Sequence, residues 1–199
     1  MKVKDIIATA LRFVGREEIS RKLLSPNAAE GENDEETETS PFTAEETEVI
    51  ETLLYCFNSV EDELARSYIP LTTEEVMSSE NGIYAFADFK LRPVKIVSVI
   101  SDGKSVKYSL TTKSLVCDKA EITVIYGYAP LKKGLDDESE FSSLISSERL
   151  VAAGTASEYC LIDGEAKLAE TWESVYRGEI DNVQRTRLSG MRLPPRRWV

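Results

Sequence analysis

Histidine is absent from the chain. With it go the commonest general base, the Ser-His-Asp and Cys-His nucleophile systems, and the commonest metal ligand. Catalysis would have to run on carboxylates, lysine or tyrosine. The densest grouping of that kind is Asp136-Asp137-Glu138 near the pair Lys132-Lys133. The three acids have the type of a hard-cation cluster, but no nucleophile accompanies them, and a solvated turn is the expectation. Asn33, Asp34 and Glu36 form a second set that could ligate a hard cation, yet they lack the fixed ligand order and glycine of a calcium loop. Cys56, Cys117 and Cys160 are odd in number and far apart, with no C-x-x-C pair. Buried free thiols are expected, not a disulfide framework or a zinc site. The chain reads as a non-enzyme, with no catalytic residue, no cofactor and no metal.

The residues that stand out chemically are at the other end of the molecule. Thr186-Arg-Leu-Ser-Gly-Met-Arg-Leu-Pro-Pro-Arg-Arg-Trp-Val199 carries four arginines and no acid, on a chain whose net charge is −11. Gly190 and Pro194-Pro195 oppose helix, so this stretch is expected not to extend one. Leu188, Met191, Leu193, Trp198 and Val199 are more apolar than a solubilising tail requires, and Arg and Trp are enriched in binding hot spots. The expectation is a docking arm over 186–199, with Arg187, Met191, Arg192, Leu193, Pro194, Pro195, Arg196, Arg197, Trp198 and Val199 as its contact residues. Acid is concentrated elsewhere. Between Leu23 and Ala65 there is no Lys or Arg, while Glu30 to Glu38 and Glu45 to Glu63 accumulate carboxylates. Such a surface repels phosphate, so the body is not one that grips DNA.

The elements behind these residues follow from periodicity. Val3, Ile6, Ile7, Ala10, Leu11 and Val14 mark an amphipathic helix that Gly15 ends or interrupts. Ser25–Ser40 is polar and acidic and is expected to be a mobile loop. Thr43-Ala-Glu-Glu46 has the form of a capping box. It opens a long helix whose stripe is Ile50, Leu53, Leu54, Phe57, Val60, Leu64 and Tyr68, stopped by Pro70. Leu91–Ile100 is β-branched, Asp102-Gly103 signals a hairpin, and Val106, Tyr108 and Leu110 alternate with polar residues. Leu115–Cys117 and a strand with Ile122, Val124, Tyr126 and Tyr128 on one face complete an antiparallel meander. After a loop over 131–147, Val151, Ala152, Thr155, Ala156, Tyr159 and Cys160 face inward from one helix. Asp163-Gly164 breaks it, and Leu168, Trp172, Val175, Tyr176 and Val183 line a second helix. So short a link makes an antiparallel helical hairpin.

The expected fold is therefore α+β: a helical bundle of two N-terminal helices and a C-terminal hairpin, with an inserted antiparallel β-meander and an extended C-terminal arm. Its parts are 1–70 (N-terminal helices with the acidic loop 25–40), 71–130 (β lobe), 131–185 (loop and hairpin) and 186–199 (arm). No apolar run approaches the ~20 residues of a membrane span, and Met1-Lys-Val-Lys-Asp5 does not open a signal peptide, so a cytosolic place of assembly and no membrane partner are expected.

Read in order, the layout resembles the head–tail adaptor (head-completion, or connector) proteins of tailed bacteriophages. VKDIIATALRFVGREE is similar to that family's first helix and glycine, and ETLLYCFNSVEDELARSYIPL to its long second helix. ITVIYGYAPL, the acidic loop and LVAAGTASEYCLIDGEAKLAETWESVYRGEI are similar to its closing pair, carried here by Tyr159, Asp163, Gly164, Ala166, Ala169, Trp172 and Tyr176. The acidic insertion between the first two helices departs from the plainest members. The resemblance implies a structural virion protein at the head–tail neck, assembled in the host cytoplasm. It implies a homo-oligomeric ring, usually dodecameric, beneath the portal protein, with a downstream tail or neck protein as the next partner. Genomic DNA would pass through the lumen without specific binding, and the C-terminal arm would reach the portal. The competing readings are another neck component, such as a stopper or tail terminator, which would be richer in β-structure, and a non-viral cytosolic interaction module.

Overall fold

A computed structural model describes residues 1–25, 41–145 and 147–188 of the chain; the expected mobile loop, from residue 26 on, and residues 189–199 of the arm lie outside the described residues. The fold is α+β, with five α-helices and two antiparallel sheets among the described residues. The chain divides into two compact units, Met1–Glu61 with Lys132–Val199, and Asp62–Leu131.

The helical unit opens with α1 (Val3–Phe13), which buries Val3, Ile6, Ile7, Ala10 and Leu11. It ends at Gly15, as the sequence indicated. A short helix that the periodicity did not reveal follows, α2 (Glu17–Leu24), burying Ile19, Ser20 and Leu23. Only two large apolar residues anchor it, too few for a stripe to be legible. The Ser20 hydroxyl donates to the Ala8 carbonyl at 2.8 Å, tying α2 to α1.

Helix α3 (Ala44–Glu63) starts on the expected capping box. The Thr43 N–H donates to Glu46 Oε2 at 2.9 Å, and the Glu46 N–H donates to Thr43 Oγ1 at 3.2 Å. Two orphan donors of the first turn are thereby satisfied reciprocally. Ile50, Leu53, Phe57, Val60 and Leu64 of the stripe are buried, whereas Leu54 and Tyr68 are only half-buried. The α-helical ladder also stops earlier than Pro70. Residues Leu64–Tyr68 form a π-helical turn, with the Ile69 N–H donating to the Leu64 carbonyl at 2.7 Å. The wider turn rotates the last residues off the stripe.

Helices α4 (Arg149–Ile162) and α5 (Ala166–Leu188) form the expected hairpin, hinged where Gly164 adopts φ +83°. Every expected inward residue of α4 is buried, and so are Leu150, Ala153, Gly154 and Ser157, so α4 is enclosed on all sides from Leu150 to Ser157, while Leu161 and Ile162 at its end are exposed. Small residues permit this. A Cβ on Gly154 would meet the Tyr176 ring at 2.9 Å and Val60 Cγ1 at 3.0 Å. On α5 the buried positions are Ala169, Tyr176 and Ile180, while Leu168, Trp172, Val175 and Val183 are half-buried. Phe13 stacks on Trp172 with centroids 4.1 Å apart. Helix α5 runs to Leu188, which corrects the expectation for the start of the arm: Thr186, Arg187 and Leu188 belong to the last helical turn. The first strong breaker is Gly190, so nothing in the local sequence stops the helix sooner.

The β unit holds two antiparallel sheets. One has the order β1 (Thr72–Ser78), β7 (Glu121–Tyr128), β3 (Pro93–Ser101), β4 (Lys104–Ser105); the other has β2 (Ile83–Ala85), β6 (Ser114–Val116), β5 (Ser109–Leu110). Asp102 and Gly103 both take positive φ, 52° and 72°. That geometry defines the two-residue turn between β3 and β4. The expected alternation of Val106, Tyr108 and Leu110 does not make one strand. Val106 still donates to the Val99 carbonyl at 3.0 Å, and the chain then crosses to the other sheet to form β5. Ile122, Val124 and Tyr126 are buried on one face of β7, with Tyr128 packed at its margin. Both sheets share one core containing Tyr84, Phe89, Val99, Leu115 and these β7 residues.

Candidate functional site

Of the residues assigned to the docking arm, Arg187 lies in the final turn of α5, and Met191, Arg192, Leu193, Pro194, Pro195, Arg196, Arg197, Trp198 and Val199 lie outside the described residues. How these side chains are arranged thus lies outside what the structure describes. What it does supply is their base: α5, seated against α4 through Ser157, whose hydroxyl donates to the Ala169 carbonyl at 3.0 Å.

The acids near Lys132 and Lys133 have structural work. Asp136, Asp137 and Glu138 are exposed, as a solvated turn requires. Asp137 Oδ2 accepts from the Gly134 N–H at 2.7 Å, closing the turn. The Lys133 ammonium pairs with Glu140 Oε1 at 2.8 Å, and that carboxylate, foremost among its neighbours, raises the lysine's pKa. Among the described residues no three Cys, Asp or Glu side chains are placed to hold a metal ion.

The 131–147 loop is more than a connection. The carbonyls of Leu135 and Asp137 accept the N–H groups of Lys4 and Val3 at 3.0 Å each, capping the start of α1. The terminal ammonium of Met1 donates to Ser142 Oγ at 2.8 Å, and the Ser139 N–H donates to the Met1 carbonyl at 3.0 Å. Phe141 and Ile145 are buried. On the other side the loop is fastened to α3. The Asn58 side chain donates to the Lys133 carbonyl at 3.1 Å and accepts from its N–H at 2.7 Å. Ser139 Oγ donates to Glu61 Oε1 at 2.5 Å.

Glu61 is the least ordinary group in this unit. It is fully buried, and its Oε2 has no hydrogen-bond partner among the described residues. Burial, the dominant influence, pushes its pKa up to about 7, against the opposing effects of the Ser139 hydroxyl and the Lys133 charge. Sequence reasoning passed over this cluster, although a signal existed. Glu61 stands four residues after Phe57 and three before Leu64, an acid on the apolar stripe. Asn58 and Ser139 carried no such signal, because their pairing depends on where the loop returns.

Glu46 also accepts from the Lys22 ammonium at 2.5 Å, and that contact, ahead of the Thr43 N–H, holds its carboxyl below the usual range. Cys56, Cys117 and Cys160 are free and buried, as expected. Desolvation pushes the Cys56 thiol up to about 12 and the Cys160 thiol up to about 11, so neither is poised as a nucleophile. No helix among the described residues is long and apolar enough to cross a membrane.

The chain matches no protein-family model, and no curated protein matches it.

Proposed function

We propose that this chain is a head–tail adaptor of a tailed bacteriophage. Its subunits form a ring beneath the portal, continue the DNA channel and offer the next neck or tail protein its attachment surface. The observation that carries this reading is the order of parts. A glycine-ended first helix and a long capped helix precede an antiparallel β lobe; an acidic loop and a helical pair broken at Asp163-Gly164 follow. In that pair Tyr159, Ala169, Trp172 and Tyr176 occupy the positions on which the family resemblance rests.

The charge distribution supports it on physical grounds. A body with an excess of carboxylate, on a chain of net charge −11, repels phosphate, so DNA slides past without being held. The arginine-rich end has the opposite chemistry. Arg192, Arg196 and Arg197 can take carboxylates of the portal in bidentate pairs, which lysine does not reproduce. Met191, Leu193 and Trp198 supply apolar anchors, and Pro194-Pro195 reduces the entropy lost on binding. Ordering some ten residues costs on the order of 10–20 kcal/mol. Docking therefore draws on charges and anchors together, multiplied by many arms around one ring.

The test is co-sedimentation and cryo-electron microscopy of the chain with the portal protein encoded nearest to it. The full chain is expected to form closed rings on the portal. A chain ending at Leu188 keeps all of α5, and is expected to fold normally and fail to attach. Full-occupancy rings from the shortened chain would remove the arm from docking. A full chain that never associates with portal would remove the adaptor reading itself.

A further inference from the structure

The four-stranded sheet has two unlike borders. On the far side β4 covers β3 only at Ile100 and Ser101, and along the rest of β3 the pairing with β7 shifts register twice, between Pro93 and Lys95 and again between Ile96 and Ser98. A proline, a lysine and two bulges along one border are the devices by which sheets prevent another strand from adding to them. The β1 side has none of them. Thr72–Ser78 pairs with β7 in unbroken register from Thr72↔Gly127 to Ser78↔Glu121 and contains no proline, glycine or lysine.

Which backbone groups this border presents follows from the ladder. The Leu71 carbonyl accepts from Tyr128 N–H at 3.0 Å, and the Ser79 N–H donates to the Ala120 carbonyl at 2.8 Å. Odd-numbered residues thus turn their N–H and C=O toward β7. In an antiparallel ladder the intervening residues turn both groups the other way. Thr72, Glu74, Val76 and Ser78 therefore aim donors and acceptors outward, and their side chains are exposed as well. Val76 is 64% exposed, among the highest values for a large apolar side chain among the described residues, and with Ile83, 49% exposed, it lines one hollow at this border.

We propose that β1 is a self-association edge, pairing antiparallel with β1 of a second copy about a two-fold axis through Val76. The sequence of the strand is what selects a copy of itself as occupant. With Val76 opposite Val76, Glu74 falls opposite Ser78 and Glu75 opposite Met77, and the outward groups of 74, 76 and 78 all meet partners. Every cross-strand pair is then apolar–apolar or charged–neutral, with no like charges facing each other. Moving the axis to Glu75 would put two carboxylates face to face, which is unfavourable. The proposal concerns the free chain and rests on the β lobe alone, not on the adaptor reading.

The experiment is sedimentation equilibrium of the full chain at micromolar to hundred-micromolar concentration, for wild type, Val76→Lys, Val76→Glu and an equimolar mixture of the two variants. Position 76 faces solvent, so both variants are expected to keep the native circular dichroism spectrum and unfolding midpoint. Wild type is expected to dimerise. Each single variant, which sets like charges across the axis, is expected to weaken dimerisation at least tenfold, and the mixture is expected to recover a heterodimer. A wild-type chain that stays monomeric throughout would overturn the proposal. So would a dimer indifferent to both charges, or a mixture no tighter than its components.

Discussion

Replacing Glu61 by glutamine isolates the energetic cost of a carboxylate inside the helical unit. The folded environment raises its pKa from 4.5 to about 7, chiefly by desolvation. In the unfolded chain the group titrates near the ordinary value. Between those two values the folded state holds the proton more firmly than the unfolded state does. The associated stability is fully present below about pH 4.5 and is lost as the pH rises through about 7. At about 1.4 kcal/mol for each pH unit across that interval, the loss is about 3 kcal/mol. Glutamine keeps the shape and an acceptor for the Ser139 hydroxyl but does not titrate. Other titrating groups cancel when the variant is compared with wild type at each pH. The absence of histidine also removes the usual background in this window. Urea unfolding at about pH 4.5 and about pH 8.5 is the assay. The difference in unfolding free energy, variant minus wild type, is expected to move by about 3 kcal/mol in the variant's favour on going to the higher pH. Parallel stability curves would refute the reasoning and show that the carboxylate is solvated in its charged form.

Gly154→Ala forces a methyl against Tyr176 and Val60 and is expected to lower stability by about 1–3 kcal/mol, read as a lower urea midpoint. Gly178→Ala is the counterpart: a Cβ there meets nothing within 4 Å on an exposed face of α5, so the midpoint should rise, by about 0.5–1 kcal/mol. Leu53→Ala, at a fully buried site, is expected to cost about 2–5 kcal/mol, and Leu54→Ala, at a half-buried one, clearly less in the same measurement. The thiols of Cys56 and Cys160 are expected to resist a thiol-specific disulfide reagent until denaturant is added, because both are buried and their pKa values lie at about 12 and about 11.

Patterns that act over a few residues were legible in the chain. Thr43-Ala-Glu-Glu46 caps α3 through bonds among its own members, so no distant part of the fold is needed to make it. Asp102-Gly103 and Asp163-Gly164 mark turns by backbone freedom, another local property. The inward faces of α1 and β7 follow from periods of 3.6 and 2, which the apolar residues themselves carry. The three thiols were readable as free and buried from number and spacing.

Other features depended on residues far away in sequence. Thr-Thr-Glu-Glu-Val-Met-Ser has little strand character of its own, yet becomes β1 because β7 offers it a complete ladder. Val106 and Leu110 alternate like one strand but are divided between two sheets by which partner each meets. The α3 helix loses its ladder at Leu64, although Pro70 alone placed its end further along the chain. Glu61 could be seen as an acid on an apolar stripe, but its partners could not, since Ser139 and Lys133 reach it only after the β unit has been built between them in the chain. By itself the sequence determined composition, charge placement, helix caps and turns, because these are set by each residue and its near neighbours. The tertiary structure alone decided strand partners, the burial of Glu61 and the open border at β1, because those depend on which distant surfaces meet and which are left unpaired.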